Sequence, residues 1–195
     1  MKHTLVARVL DEPGVLNRVA SLFRRRAFNI DSLTVGHSEA SGVSRMTIVV
    51  DTRRTPAALV AENLRKLVPV LDVEDVTHRP TVSRDLALVR VRCAPGERSQ
   101  MADLVAIFRG KIVDVAPESV IVEVTGDEGK VDGLVDLLRE RGILEMVRTG
   151  KVALVRGSKA DVKTRAADME ERTNGGGAQP NAGKGETDNG ADLLR

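Results

Sequence analysis

Three observations predict an α+β fold, built as two ferredoxin-like βαββαβ units followed by a disordered tail. Short runs rich in Val, Ile and Thr alternate with longer segments whose apolar residues recur at helical spacing, in the order β-α-β-β-α-β, twice between Met1 and Gly157. Apolar residues make up 42% of the 195 residues but aromatics only 2%, so any core is built from Val, Leu, Ile and Ala. Residues 158–195 carry Asn174-Gly175-Gly176-Gly177 and only Val162, Met169, Leu193 and Leu194 as large apolar residues. Such a segment buries too little to fold and reads as a disordered tail.

The first unit spans residues 1–78. Thr4 to Leu10 is apolar and β-branched and reads as a strand. Gly14 to Arg26 reads as a helix, with Val15, Leu16, Val19, Leu22 and Phe23 on one side. Phe28 to His37 is a second strand, and a turn follows over Ser38 to Gly42. Val43 to Asp51 is a third strand, in which Met46, Ile48 and Val50 alternate with Arg45, Thr47 and Val49. Thr55 reads as an N-cap with Pro56 at the first helical position, opening a helix through Leu59, Val60, Leu64 and Leu67. Val70 to Val76 is the closing strand.

The second unit spans residues 79–157. Leu86 to Cys93 is a strand. Ser99 is the expected cap of a helix carrying Met101, Leu104, Val105 and Phe108. Lys111 to Val115 and Ser119 to Thr125 are strands joined by a turn at Ala116-Pro117-Glu118. Lys130 to Arg141 is a helix with Val131, Leu134, Val135 and Leu138 on its apolar side. Ile143 to Val147 and Val152 to Val155 read as a final hairpin through Gly150. In each unit two helices cover one sheet face, and the bare opposite face predicts self-association.

Several function classes are excluded by composition. Formal net charge is +2 with both signs mixed along the chain, which argues against a polyanion partner. The βαββαβ order is shared with RNA-binding modules, but those need exposed aromatics on the central strands. Arg45-Met46-Thr47-Ile48-Val49-Val50 has none. A single cysteine, Cys93, rules out an intrachain disulfide and shares a strand face with Ala87, Val89 and Val91, as a small buried hydrophobe would. His3, His37 and His78 lack the spaced partners that metal or nucleophile chemistry needs, and Asp114, Asp127 and Asp132 read as solvated surface. Arg24-Arg25-Arg26 complements the negative end of its helix. There is no phosphate-binding glycine motif. No apolar run approaches 18 residues, and the N-terminus enters a strand without a signal-like stretch, so a cytoplasmic protein with no membrane span is expected.

One junction carries chemistry. Asp11-Glu12-Pro13-Gly14-Val15-Leu16 joins the first strand to the first helix. Pro13 presets a turn, and Gly14 lets a ligand approach the backbone. The amides of Gly14, Val15 and Leu16 can meet a carboxylate at the positive helix end. A short polar side chain at position 11 can meet an ammonium. Together they would recognise the common part of an α-amino acid. The same hexapeptide also fits an ordinary helix start capped by Asp or Glu, and the residues alone leave both readings open.

The hexapeptide resembles the first loop of the ACT domain, an amino-acid-sensing βαββαβ module with an Asp/Asn-x-x-Gly-Val/Ala-Leu pattern. Arg18-Val19, Leu22-Phe23, Phe28-Asn29-Ile30-Asp31-Ser32-Leu33-Thr34-Val35 and Ser44-Arg45-Met46-Thr47-Ile48 narrow the likeness to regulatory small subunits of acetolactate synthase (acetohydroxyacid synthase). Ile107-Phe108-Arg109-Gly110-Lys111-Ile112-Val113-Asp114-Val115 in the second unit is similar to the same family.

The resemblance implies an ACT regulatory domain over 1–78 and the family's second domain over 79–157. It implies a subunit with no active site, which binds the large catalytic subunit, activates it and confers feedback inhibition by valine in branched-chain amino-acid biosynthesis. Thiamine diphosphate, Mg²⁺ and FAD would belong to the large subunit and none to this chain. The effector would sit between two paired ACT domains. One protomer would supply Asp11, Gly14, Val15 and Leu16, and the other Asn29 and Ile30. Several family members have Asn where this chain has Asp11. A carboxylate there attracts the ligand ammonium and repels its carboxylate, each by about 1 kcal/mol. A stand-alone amino-acid sensor is the alternative, against which the Phe108-Arg109-Gly110-Lys111-Ile112 segment counts. An enzyme in its own right lacks a residue constellation.

Overall fold

A computed structural model describes residues 1–53 and 55–157. The tail expected over 158–195 lies outside the described residues. Met1–Arg156 forms one compact unit that contains two βαββαβ domains in sequence.

The first domain runs β1 (Lys2–Leu10), α1 (Val15–Arg26), β2 (Ile30–His37), β3 (Val43–Asp51), α2 (Ala57–Arg65) and β4 (Val70–Asp75). Its antiparallel sheet has the order β2-β3-β1-β4. Leu5, Ala7 and Val9 alternate inward on β1, opposite Ile48, Met46 and Ser44 on β3. They pack under Val15, Val19, Leu22 and Phe23 of α1 and Val60, Ala61 and Leu64 of α2. The period of two on the strands and of 3.6 on the helices thus meet in one aliphatic layer. Ala27 turns left-handed at φ 53° and closes α1, with Phe28 donating to the Phe23 carbonyl at 3.0 Å. The three arginines fill the last turn as expected.

Two expectations on α2 are corrected. Thr55 does not cap it. Pro56 occupies the N-cap position with extended ψ of 138°, and its carbonyl accepts from Leu59 and Val60, so the helix starts one residue later. Leu59 is exposed, because at helical spacing Ala57, Val60, Ala61 and Leu64 share the core-facing stripe and Leu59 lies opposite it.

The second domain runs β5 (Thr81–Arg92), a 3₁₀ turn (Pro95–Glu97), α3 (Arg98–Ile107), β6 (Lys111–Val115), β7 (Ser119–Gly126), α4 (Glu128–Arg141), β8 (Ile143–Arg148) and β9 (Val152–Val155). Ser99 is not the cap of α3. Pro95 starts the turn earlier, and the Glu97 carboxylate accepts from the Ala94 amide at 3.1 Å. Asp127 is not idle surface either: it caps α4 through its Oδ1, which accepts from the Lys130 amide at 2.9 Å. Asp132 is also engaged, by Arg148 at 2.5 Å. Cys93 is buried among Ala87, Val89, Val91 and Met101, as its strand face predicts.

The expected hairpin of β8 and β9 does not form. β8 pairs with Ala87–Val91 and β9 with Thr81–Arg84 of the same long strand, β5. The chain does not reverse at Gly150 but continues along β5. This extension carries Ala153 over the first domain, where it joins Val6, Val76 and Val155 in a small apolar cluster. Val6, Thr47 and Val49, on the face of the first sheet away from its helices, are buried. The bare face from which self-association was expected is thus partly covered by the chain's own second domain.

Candidate functional site

The β1–α1 junction is built around a backbone turn. Gly14 is the N-cap of α1 with φ 86°, a left-handed conformation that a side chain disfavours. The Val15 amide donates to the Glu12 carbonyl at 3.3 Å, and the Arg18 amide to the Gly14 carbonyl at 3.0 Å. No side chain caps the helix, and its first turn holds no acid. The cap reading of Asp11 and Glu12 is thereby removed. The helix start faces outward through exposed Gly14 and half-exposed Leu16, while Val15 anchors it in the core.

Asp11 points instead toward the next strands. Ser44 Oγ donates to its Oδ1 at 3.1 Å, and His37 Nδ1 lies 3.2 Å from its Oδ2. Its amide donates to the Gly42 carbonyl at 2.8 Å. The β2–β3 turn and the β1–α1 loop are thus tied together at one carboxylate. His37 and Ser44 are a cross-strand pair, which makes them neighbours of the same group. Nothing in the linear sequence singles them out, since the pairing register of β2 and β3 brings them together.

Asn29 and Ile30 stand elsewhere. Ile30 opens β2 opposite Val50 and packs partly on the core, while Asn29 is exposed just before it. His37, at the Asp11 end, closes the same strand, about 23 Å away at the rise of a β-strand. Within one chain the structure therefore brings together Asp11, Gly14, Val15 and Leu16, and leaves Asn29 and Ile30 at the far end of the sheet.

Among the described residues, no group of three or more His, Cys, Asp or Glu side chains could hold a metal ion. His3 Nδ1 is 2.8 Å from Asp75 Oδ2 and its ring meets His78 edge-on, a strand-end contact. No described helix is long and apolar enough to cross a membrane.

Comparison with known proteins decides the family. Residues 5–72 match the model of the acetohydroxyacid synthase small subunit-like ACT domain, and residues 84–157 match that of the small subunit of acetolactate synthase. The chain is 51% identical over 159 residues to a probable acetolactate synthase small subunit of Archaeoglobus fulgidus, covering 82% of this chain and 99% of that one. It is 41% identical to the acetolactate synthase small subunit of Bacillus subtilis, covering 81% and 92%.

The chain belongs to the acetolactate synthase small-subunit family.

A crystal structure of the Thermotoga maritima small subunit shares the architecture, with a TM-score of 0.74 at 38% identity over 81% of this chain and 99% of that one. Both small-subunit domains described above are therefore family features, and the family-model matches leave the connector near Val76–Pro80 between them. The junction at Asp11–Leu16 lies in the ACT domain of this small subunit.

Proposed function

We propose that the chain is the non-catalytic regulatory subunit of a cytoplasmic acetolactate synthase, and that it senses valine. In this reading it binds the large catalytic subunit, raises its activity and transmits feedback inhibition in branched-chain amino-acid biosynthesis. Thiamine diphosphate, Mg²⁺ and FAD sit on the large subunit, and this chain holds no cofactor.

The observation that carries the effector reading is the uncapped start of α1 beside Asp11. A ligand carboxylate accepts from the amides at Gly14 and Leu16, and from that of Val15 once it leaves the Glu12 carbonyl, at the positive end of the helix. The ligand ammonium meets Asp11, which Ser44 holds in place. Asn29 and Ile30 complete the site from a second copy, paired ACT domain to ACT domain. Their distance from Asp11 within one chain supports that arrangement.

The test is calorimetry of the purified chain with valine, isoleucine and leucine, together with valine titration of the reconstituted synthase. Saturable binding and inhibition that requires this subunit are expected. No heat with any of the three amino acids would overturn the effector reading.

A further inference from the structure

The two domains meet through an apolar cluster and a set of polar contacts. The apolar part is the cluster of Val6, Val76, Ala153 and Val155. The remainder is polar. Arg45 Nη2 donates to the Ala153 carbonyl at 2.9 Å, and the Lys151 amide donates to Ser32 Oγ at 2.9 Å. Lys2 Nζ stands 3.1 Å from Glu128 Oε1, and Lys151 Nζ stands 3.2 Å from Glu128 Oε2. Lys2 Nζ is also 2.9 Å from Asp31 Oδ2. These charges line a cleft of about 450 Å³ between the domains. Lys2 therefore holds one carboxylate from each domain: Asp31 on β2 and Glu128 at the first turn of α4.

The position of Asp31 is set by an irregularity. The β2–β3 register pairs Ile30 with Val50 and Ser32 with Val49, so a bulge leaves Asp31 outside the ladder. A bulge bends its strand and re-aims side chains. Asp31 also directly follows Asn29 and Ile30, and Ser32 beyond it holds the Lys151 amide.

We propose that the Asp31–Lys2–Glu128 bridge carries effector occupancy at the start of β2 into the second domain. The proposal rests on the effector reading above. A shift of Asn29 and Ile30 on binding reaches Asp31 without passing through a strand pair. Lys2 converts it into a pull on Glu128, and Glu128 opens α4. The pairs are partly exposed, so each is weak, and together they bias the docking of the two domains. A contact of that strength can be tilted by a small ligand.

The test compares full-length wild type, Lys2→Gln, Glu128→Gln and Lys2→Arg. Valine affinity of each chain is read by calorimetry, and valine inhibition is read in the reconstituted synthase. We expect all four to bind valine within about twofold of one another. In Lys2→Gln and Glu128→Gln, the valine concentration for half-inhibition should rise about three- to fivefold, the size expected for a lost partly exposed ion pair. Lys2→Arg should inhibit as wild type. Normal inhibition in both neutral variants, with valine bound normally, overturns the bridge and leaves the effector reading intact. Loss of valine binding in those variants alone also overturns it, because it assigns the groups to the binding site. Absence of valine binding by wild type overturns both readings.

Discussion

Gly150 of the second domain faces Thr34 of the first so closely that a β-carbon on the glycine would lie 2.5 Å from the threonine hydroxyl. It would also lie 2.7 Å from that of Ser32 and 2.9 Å from the Leu33 carbonyl. Space, rather than a positive φ, requires glycine here. Gly150→Ala is expected to part the domains locally while sparing both cores. Hydrogen exchange should show lost protection at the Lys151 amide, which bonds Ser32 Oγ, and unchanged protection through β7. Retained protection at Lys151 would show that the strands shift to absorb the methyl group.

Gly14 presents the opposite case. A β-carbon there meets nothing within 4 Å, but φ is 86°. Gly14→Ala should cost about 1–2 kcal/mol through backbone strain alone, measured by denaturant unfolding. Gly14→Asp adds a charge where the ligand carboxylate would bind. It should abolish valine inhibition of the reconstituted synthase and retain activation, because the second domain is untouched. Unchanged inhibition would sink the site assignment.

Ser44→Ala tests whether Asp11 must be held. The serine is buried, and its hydroxyl donates to Asp11 Oδ1. Its loss removes one hydrogen bond to a charged group, about 1.5 kcal/mol of folding stability, and by freeing Asp11 to reorient it should raise the valine dissociation constant by up to about tenfold. Calorimetry gives the value directly.

The domain contact has a defined pH window. Lys2, and then Lys151, hold the Glu128 carboxyl below its ordinary 4.5, against an opposing effect of burial. A carboxyl lowered on folding adds stability that is complete above its unfolded value and is lost as pH falls through the folded one. Asp31, and then Glu128, raise Lys2 above its ordinary 10.5, so its share is complete below that value and is lost at higher pH. Stability relative to Glu128→Gln should be flat between about pH 5 and pH 10 and shrink on acidification below about pH 4. Thermal midpoints of the two proteins across pH 3–9 measure this. A difference that grows toward acid would contradict it.

Cys93 is 1% exposed in the second core. Its thiol should resist a water-soluble disulfide reagent in the native protein and react at once in denaturant. The rate of labelling then reports opening of that core.

Periodicity made β3 legible to its end residues, because Met46, Ile48 and Val50 recur on the helix-covered face, but it did not show that Thr47 and Val49 on the other face are buried as well. It could not show where β9 pairs. Val152–Val155 has the same pattern whether it folds back on β8 or runs on along β5, and only the close approach at Gly150 separates the two. The helix starts were misplaced by one or two residues wherever a proline or an acid, rather than Ser or Thr, set the boundary. In the candidate site, Asp11 to Leu16 was readable as a contiguous junction. Ser44 and His37 were not, since they reach Asp11 only through strand register. Asn29 and Ile30 came from family resemblance, because no spacing rule links them to a loop at the other end of the sheet.

The strand that covers the first sheet is among the last described segments to be made. Arg45 donates to a carbonyl 108 positions later, at Ala153. The ACT domain is complete by Asp75, yet Val6 and Val76 wait for β9. At ribosomal speeds that interval is on the order of ten seconds. During it the newborn domain presents an open apolar face, available to any neighbour on the same polysome before its own chain can claim it.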